Sequence, residues 1–102
     1  MAAFFLAFIL GVLYGNVFPH LARGITRERY PCALGNGPVP NFFGGWAMLN
    51  IAGALTWWLW PVLVGAPFIS AVGASLGLLA IGLFHAGPGA FGRREQGGPL
   101  TP

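Results

Sequence analysis

Charge is what this sequence has least of. Two glutamates and five arginines are its only formally charged side chains, and it contains no lysine and no aspartate. Charged residues make up 7 % of the chain, against about 25 % in a soluble domain. So little charge cannot cover a water-facing surface. The shortage of acids excludes further classes. Glu28 and Glu95 both lie outside the apolar runs and beside arginine, which disfavours proton-coupled transport through an intramembrane carboxylate. Hydrolysis by paired carboxylates or by a Ser/His/Asp set lacks its acids, and no Walker-type phosphate loop is present. A single cysteine, Cys32, cannot close an internal disulfide and reads as a free thiol.

What is abundant is apolar. At 56 % hydrophobic residues the 102-residue chain is too greasy for disorder and long enough for one domain. The apolar residues fall into three runs, at about 2–18, 42–64 and 67–86. Each is close to the roughly 20 residues a helix needs to cross the hydrocarbon core. The expectation is an all-α integral membrane protein with three transmembrane helices forming a single membrane domain. The first run has no positive n-region and no small-x-small site after its apolar core, so it reads as an uncleaved first helix that ends or kinks at Pro19. Trp46 at one end of the second run and Trp57, Trp58 and Trp60 at the other suit the two headgroup levels. Pro61, Gly65 and Pro67 bracket a tight reversal, with Pro67 placed for the first turn of the third helix.

Between the first two runs lies a loop, 19–41, and after the third an irregular tail, 87–102. Within the loop, LARGITRERY is expected as a short interfacial helix ended by Pro31, followed by a turn-rich CALGNGPVPN. Arg23, Arg27 and Arg29 fall in the loop and Arg93 and Arg94 in the tail. Three crossings put these segments on one side, so the positive-inside rule predicts N-terminus out, loop in and C-terminus in. Because the basic residues flank apolar spans, the net charge of +3 is an orientation signal and not a nucleic-acid footprint. An all-arginine basic set suggests a GC-rich bacterial genome, and with it a multi-pass protein of the inner (plasma) membrane.

Five glycines stand out for helix packing. Gly11 with Gly15, and Gly73 with Gly77, are GxxxG pairs, a spacing that lets helix backbones approach closely in lipid. Gly53, beside Ala52 and Thr56, is a weaker version in the second run. Packing within the chain is preferred to a dedicated dimer motif, yet three helices have little interior, so much small-residue surface should meet another protein. The intramembrane polar residues Asn16 and Asn50, with His20, His85 and Arg23, are expected near one end and able to form a cluster, most simply as interhelical hydrogen bonds. Ser70, Thr56 and Ser75 can bond their own helix backbone. His20 and His85 are the candidate cofactor ligands, for haem or a chlorophyll-type pigment. Arg23, Arg27 and Arg29 are candidates for a lipid headgroup or another anion, against a simple topogenic role. No catalytic or metal set emerges. The leading expectation is a non-catalytic membrane subunit packed against a larger complex, respiratory or photosynthetic, with the tail helping to hold the partner. The alternatives are a homo-oligomeric channel or carrier, and a small membrane enzyme or haem- or pigment-binding protein using the polar cluster.

Overall fold

A computed structural model describes residues 1–87; the tail expectations, including Arg93, Arg94 and Glu95, lie outside the described residues. Three helices account for nearly all of it: α1 (Ala2–Ile25), α2 (Pro38–Gly65) and α3 (Pro67–Ala86). All three are long and apolar enough to cross a membrane.

Helix α1 does not stop at residue 18. It runs through Pro19 to Ile25, although Pro19 has no N–H for the Gly15 carbonyl one turn back. The adjacent Asn16 and His20 are tied to other elements by side-chain hydrogen bonds, and these tertiary contacts hold the proline turn in helix. The separate interfacial helix over LARGITRERY does not form. Its first residues extend α1, and the chain then leaves the helix through Arg27, whose φ of 63° is left-handed. The Glu28 amide bonds the Arg23 carbonyl and the Arg27 amide the Gly24 carbonyl, which is the Schellman pairing that satisfies terminal carbonyls.

Helix α2 begins at Pro38 behind an extended Gly37, four residues earlier than the apolar run suggests. Proline suits the first helical position because its missing N–H is unsatisfied there anyway. The helix passes through Pro61 to Gly65, so only Ala66 separates it from α3. The reversal is therefore tighter than PVLVGAP implied. Ser70 bonds α2 here, not its own helix: its buried hydroxyl donates to the Leu63 carbonyl at 2.8 Å, adding a second donor to a terminal carbonyl that the Ala66 amide also bonds.

α1 lies between the other two helices. Along α3, in parallel, the two GxxxG pairs face it: Gly73 lies against the Phe4 backbone, Gly77 against Phe8 and Val12, Gly11 against Ala74, and Gly15 against Leu78 and Ile81. A Cβ at Gly77 or Gly11 would overlap a carbonyl oxygen of the neighbouring helix. On its other side α1 meets the antiparallel α2 through Leu21 at Gly45 and Gly24 at Phe42, and through a Tyr14–Thr56 hydrogen bond of 2.8 Å. Gly53 takes no part, for nothing lies within 4 Å of its Cβ position. The face towards α1 belongs to its neighbour Ala52, which is 0 % exposed, and Gly53 is about 100° further round.

α2 and α3 scarcely touch beyond their junction. Two clefts therefore open between them, one on either side of α1. Ala7, Leu10, Gly11 and Tyr14 floor the first, of about 540 Å³. Val12, Leu13, Asn16 and His20 floor the second, of about 450 Å³, which the 31–34 loop overhangs.

Candidate functional site

The polar side chains converge at the end of the bundle that carries the 26–37 loop. Asn41, in the first turn of α2, is 0 % exposed. Its Nδ2 donates to the Tyr30 carbonyl at 2.8 Å and the Gly37 carbonyl at 2.9 Å. That leaves Oδ1 to accept a hydrogen bond, and the His20 Nδ1–H supplies it at 2.6 Å. The tautomer of a neutral His20 is thereby fixed: Nδ1 carries the proton and Nε2 the lone pair. Among the described residues Nε2 has no hydrogen-bond partner.

His85, at the end of α3, is held at both nitrogens. Nε2 is 2.6 Å from Asn16 Oδ1 and Nδ1 is 2.8 Å from the Tyr30 hydroxyl. Asn16 Nδ2 points to Met48 Sδ at 3.3 Å, so its oxygen is the acceptor and His85 Nε2 carries the proton. Tyr30 then donates its O–H to Nδ1. The chain Tyr30–His85–Asn16–Met48 links the loop, α3, α1 and α2 in turn.

Tyr30 is the pivot of the site. Its ring is 5.4 Å from that of His20 and 5.9 Å from that of His85. The Arg23 guanidinium lies 5.1 Å from the ring centroid, a cation–π contact, while also pairing with Glu28 at 2.8 Å. Burial pushes the Tyr30 phenol above its ordinary range, and the Arg23 charge pulls partly the other way. The loop is itself braced: the Tyr30 amide bonds the Asn36 carbonyl, Asn36 Oδ1 accepts from the Cys32 amide, and Gly35 takes a left-handed φ of 137° to close the turn.

The expected residues separate into two groups. His20, His85, Asn16 and Arg23 come together, the two imidazole centroids 6.4 Å apart. Asn50 does not join them: it is exposed and donates to the Trp46 carbonyl of its own helix at 2.9 Å. Arg27 and Arg29 are exposed, and their side chains make no hydrogen bond or ion pair among the described residues, whereas Arg23 is engaged by Glu28 and Tyr30. The two candidate cofactor ligands differ in their bonding: both nitrogens of His85 are engaged, and only Nδ1 of His20 is. No group of three or more His, Cys, Asp or Glu able to hold a metal occurs among the described residues.

Sequence reasoning missed Tyr30 and Asn41. The signal for Asn41 was present: an asparagine three residues after a Gly-Pro helix start can turn its amide back onto a carbonyl one turn earlier. Tyr30 offered none beyond being an aromatic in an otherwise polar loop. Comparison with protein families, with curated proteins and with solved structures returns no match.

Proposed function

We propose that this chain is a small, non-catalytic integral membrane subunit that packs against a larger membrane protein. It crosses the bilayer three times, with its N-terminus outside and the 26–37 loop inside, the orientation that the arginine distribution supports. The inner membrane of a bacterium is its location, and it takes no part in nucleic-acid binding.

One observation carries this reading. Small residues line much of the first cleft, Ala7 and Gly11 on its α1 floor and Ala71 and Ala74 on its α3 wall. In lipid, where no hydrophobic drive brings helices together, small-residue surfaces are where a second backbone approaches closely. The polar network supports the same reading from the opposite end. It uses its hydrogen bonds to fasten loop and helices together, which is structural work, and the Tyr30 residue that meets the His85 imidazole is itself buried.

The test is photo-crosslinking in native membranes with a photoreactive residue at Ser75, in the cleft, and in a second protein at Leu76, exposed about 100° further round α3. The proposal predicts a discrete protein adduct from position 75 and lipid adducts from position 76. Lipid adducts alone from both positions would contradict it.

A further inference from the structure

The second cleft carries an inference that goes beyond a subunit role and does not depend on it. We infer that it binds an amphiphile with a hydroxyl-bearing aromatic head, of the phenol or quinol type, and an apolar tail. Its walls are apolar, formed by Val12, Leu13, Ile51, Ile81 and Phe84, and the polar residues Asn16, His20 and His85 stand at one end. At about 450 Å³ it falls within the few hundred to a thousand Å³ typical of small-molecule sites.

The chemistry of the head follows from which polar atoms remain. Asn16 uses its oxygen on His85 and its amide on Met48, and His85 uses both ring nitrogens. Asn41 Oδ1 accepts the hydrogen bond from His20 Nδ1–H. His20 Nε2 is left, and in the neutral ring it is a pure acceptor. An occupant that satisfies it must present an O–H or N–H donor. A carbonyl, an ether or a bare hydrocarbon cannot. The rings of Phe84, His85, Tyr30 and His20 succeed one another at centroid separations of 5.4–5.9 Å, a setting that favours a flat aromatic head over a saturated one. The apolar walls then receive the tail.

The experiment uses the full chain in phospholipid nanodiscs, with 4-decylphenol as probe and 4-decylanisole as its donor-free counterpart. Affinities are compared per mole fraction in lipid, and the His20 Nε2 resonance is followed by 15N NMR. The phenol is expected to bind about five- to tenfold more tightly than the anisole, the worth of one neutral hydrogen bond, and to shift the Nε2 resonance. Ile51→Trp, at an exposed cleft-lining position of α2 outside the α1–α3 seam, should weaken both ligands. Equal affinities in the native chain, an Nε2 resonance unmoved at saturation, or full phenol binding in Ile51→Trp would each overturn the inference. His20→Phe should erase the difference between the two probes. The native-chain comparison decides the matter whether or not that variant folds.

Discussion

His85 and Asn16, 69 positions apart in the chain, share a hydrogen bond of 2.6 Å. It joins the C-terminal end of α3 to α1, and it sets the tautomer through which His85 then receives the Tyr30 hydroxyl. Because every polar atom in this relay answers another, removing one member exposes the rest.

Asn16→Ala should therefore destabilise the bundle by about 1–2 kcal/mol, the cost of a buried donor left without an acceptor, moderated by what an interhelical bond is worth in lipid. Asn50→Ala removes only a bond to its own helix and should change stability by less than about 0.5 kcal/mol. Reversible unfolding in mixed micelles separates the two. Equal losses would mean that the relay contributes nothing beyond a surface amide.

Gly77→Ala should loosen the α1–α3 seam by about 1–3 kcal/mol, since the new Cβ meets the Phe8 carbonyl and lies 3.1 Å from the Val12 amide, both backbone groups that cannot swing aside. Gly53→Ala meets nothing and should be neutral or stabilising by up to about 1 kcal/mol through helix propensity. The same unfolding measurement ranks them.

Arg27→Gly should stabilise α1 by about 1 kcal/mol. Arginine at this left-handed C-terminal position carries a steric cost that glycine does not. An unchanged or lowered unfolding midpoint in that variant would show that the Arg27 side chain contributes a compensating contact.

The raised pKa of Tyr30 sets an alkaline limit. A phenol held protonated in the folded state contributes stability that is fully present below its unfolded pKa, near 10, and is lost as pH rises through the higher folded value. Stability should stay level through neutral pH and fall above about pH 10. Tyr30→Phe should lack that fall while losing the bond to His85 at every pH. Tyrosinate absorbance recorded alongside unfolding checks both.

Much of the architecture was legible because it rests on composition. Three long uncharged runs and flanking arginines are enough to read three spanning-length helices, and GxxxG spacing marks the glycines that line the α1–α3 seam. Boundaries were less legible. Pro19 read as an end or a kink, but it lies in a helix whose flanks are held by tertiary contacts, and no local rule weighs those. The polar site was half legible. Asn16, His20, Arg23 and His85 share one end by simple counting of turns. Asn50 shares that level too and points elsewhere, because a difference of a few residues rotates a side chain away from the seam. Tyr30 and Asn41 matter through a loop that folds back over the helix ends, a long-range arrangement without a sequence period.

The measurement that tests the central claim most directly is purification in mild detergent from the native membrane, with particle mass determined and co-purifying proteins identified. The account predicts that the chain migrates with a larger membrane protein in fixed stoichiometry and that Ala71→Leu, which fills the small-residue cleft from an exposed position, releases it as a folded monomer. A wild-type chain that runs alone or only with copies of itself would contradict it.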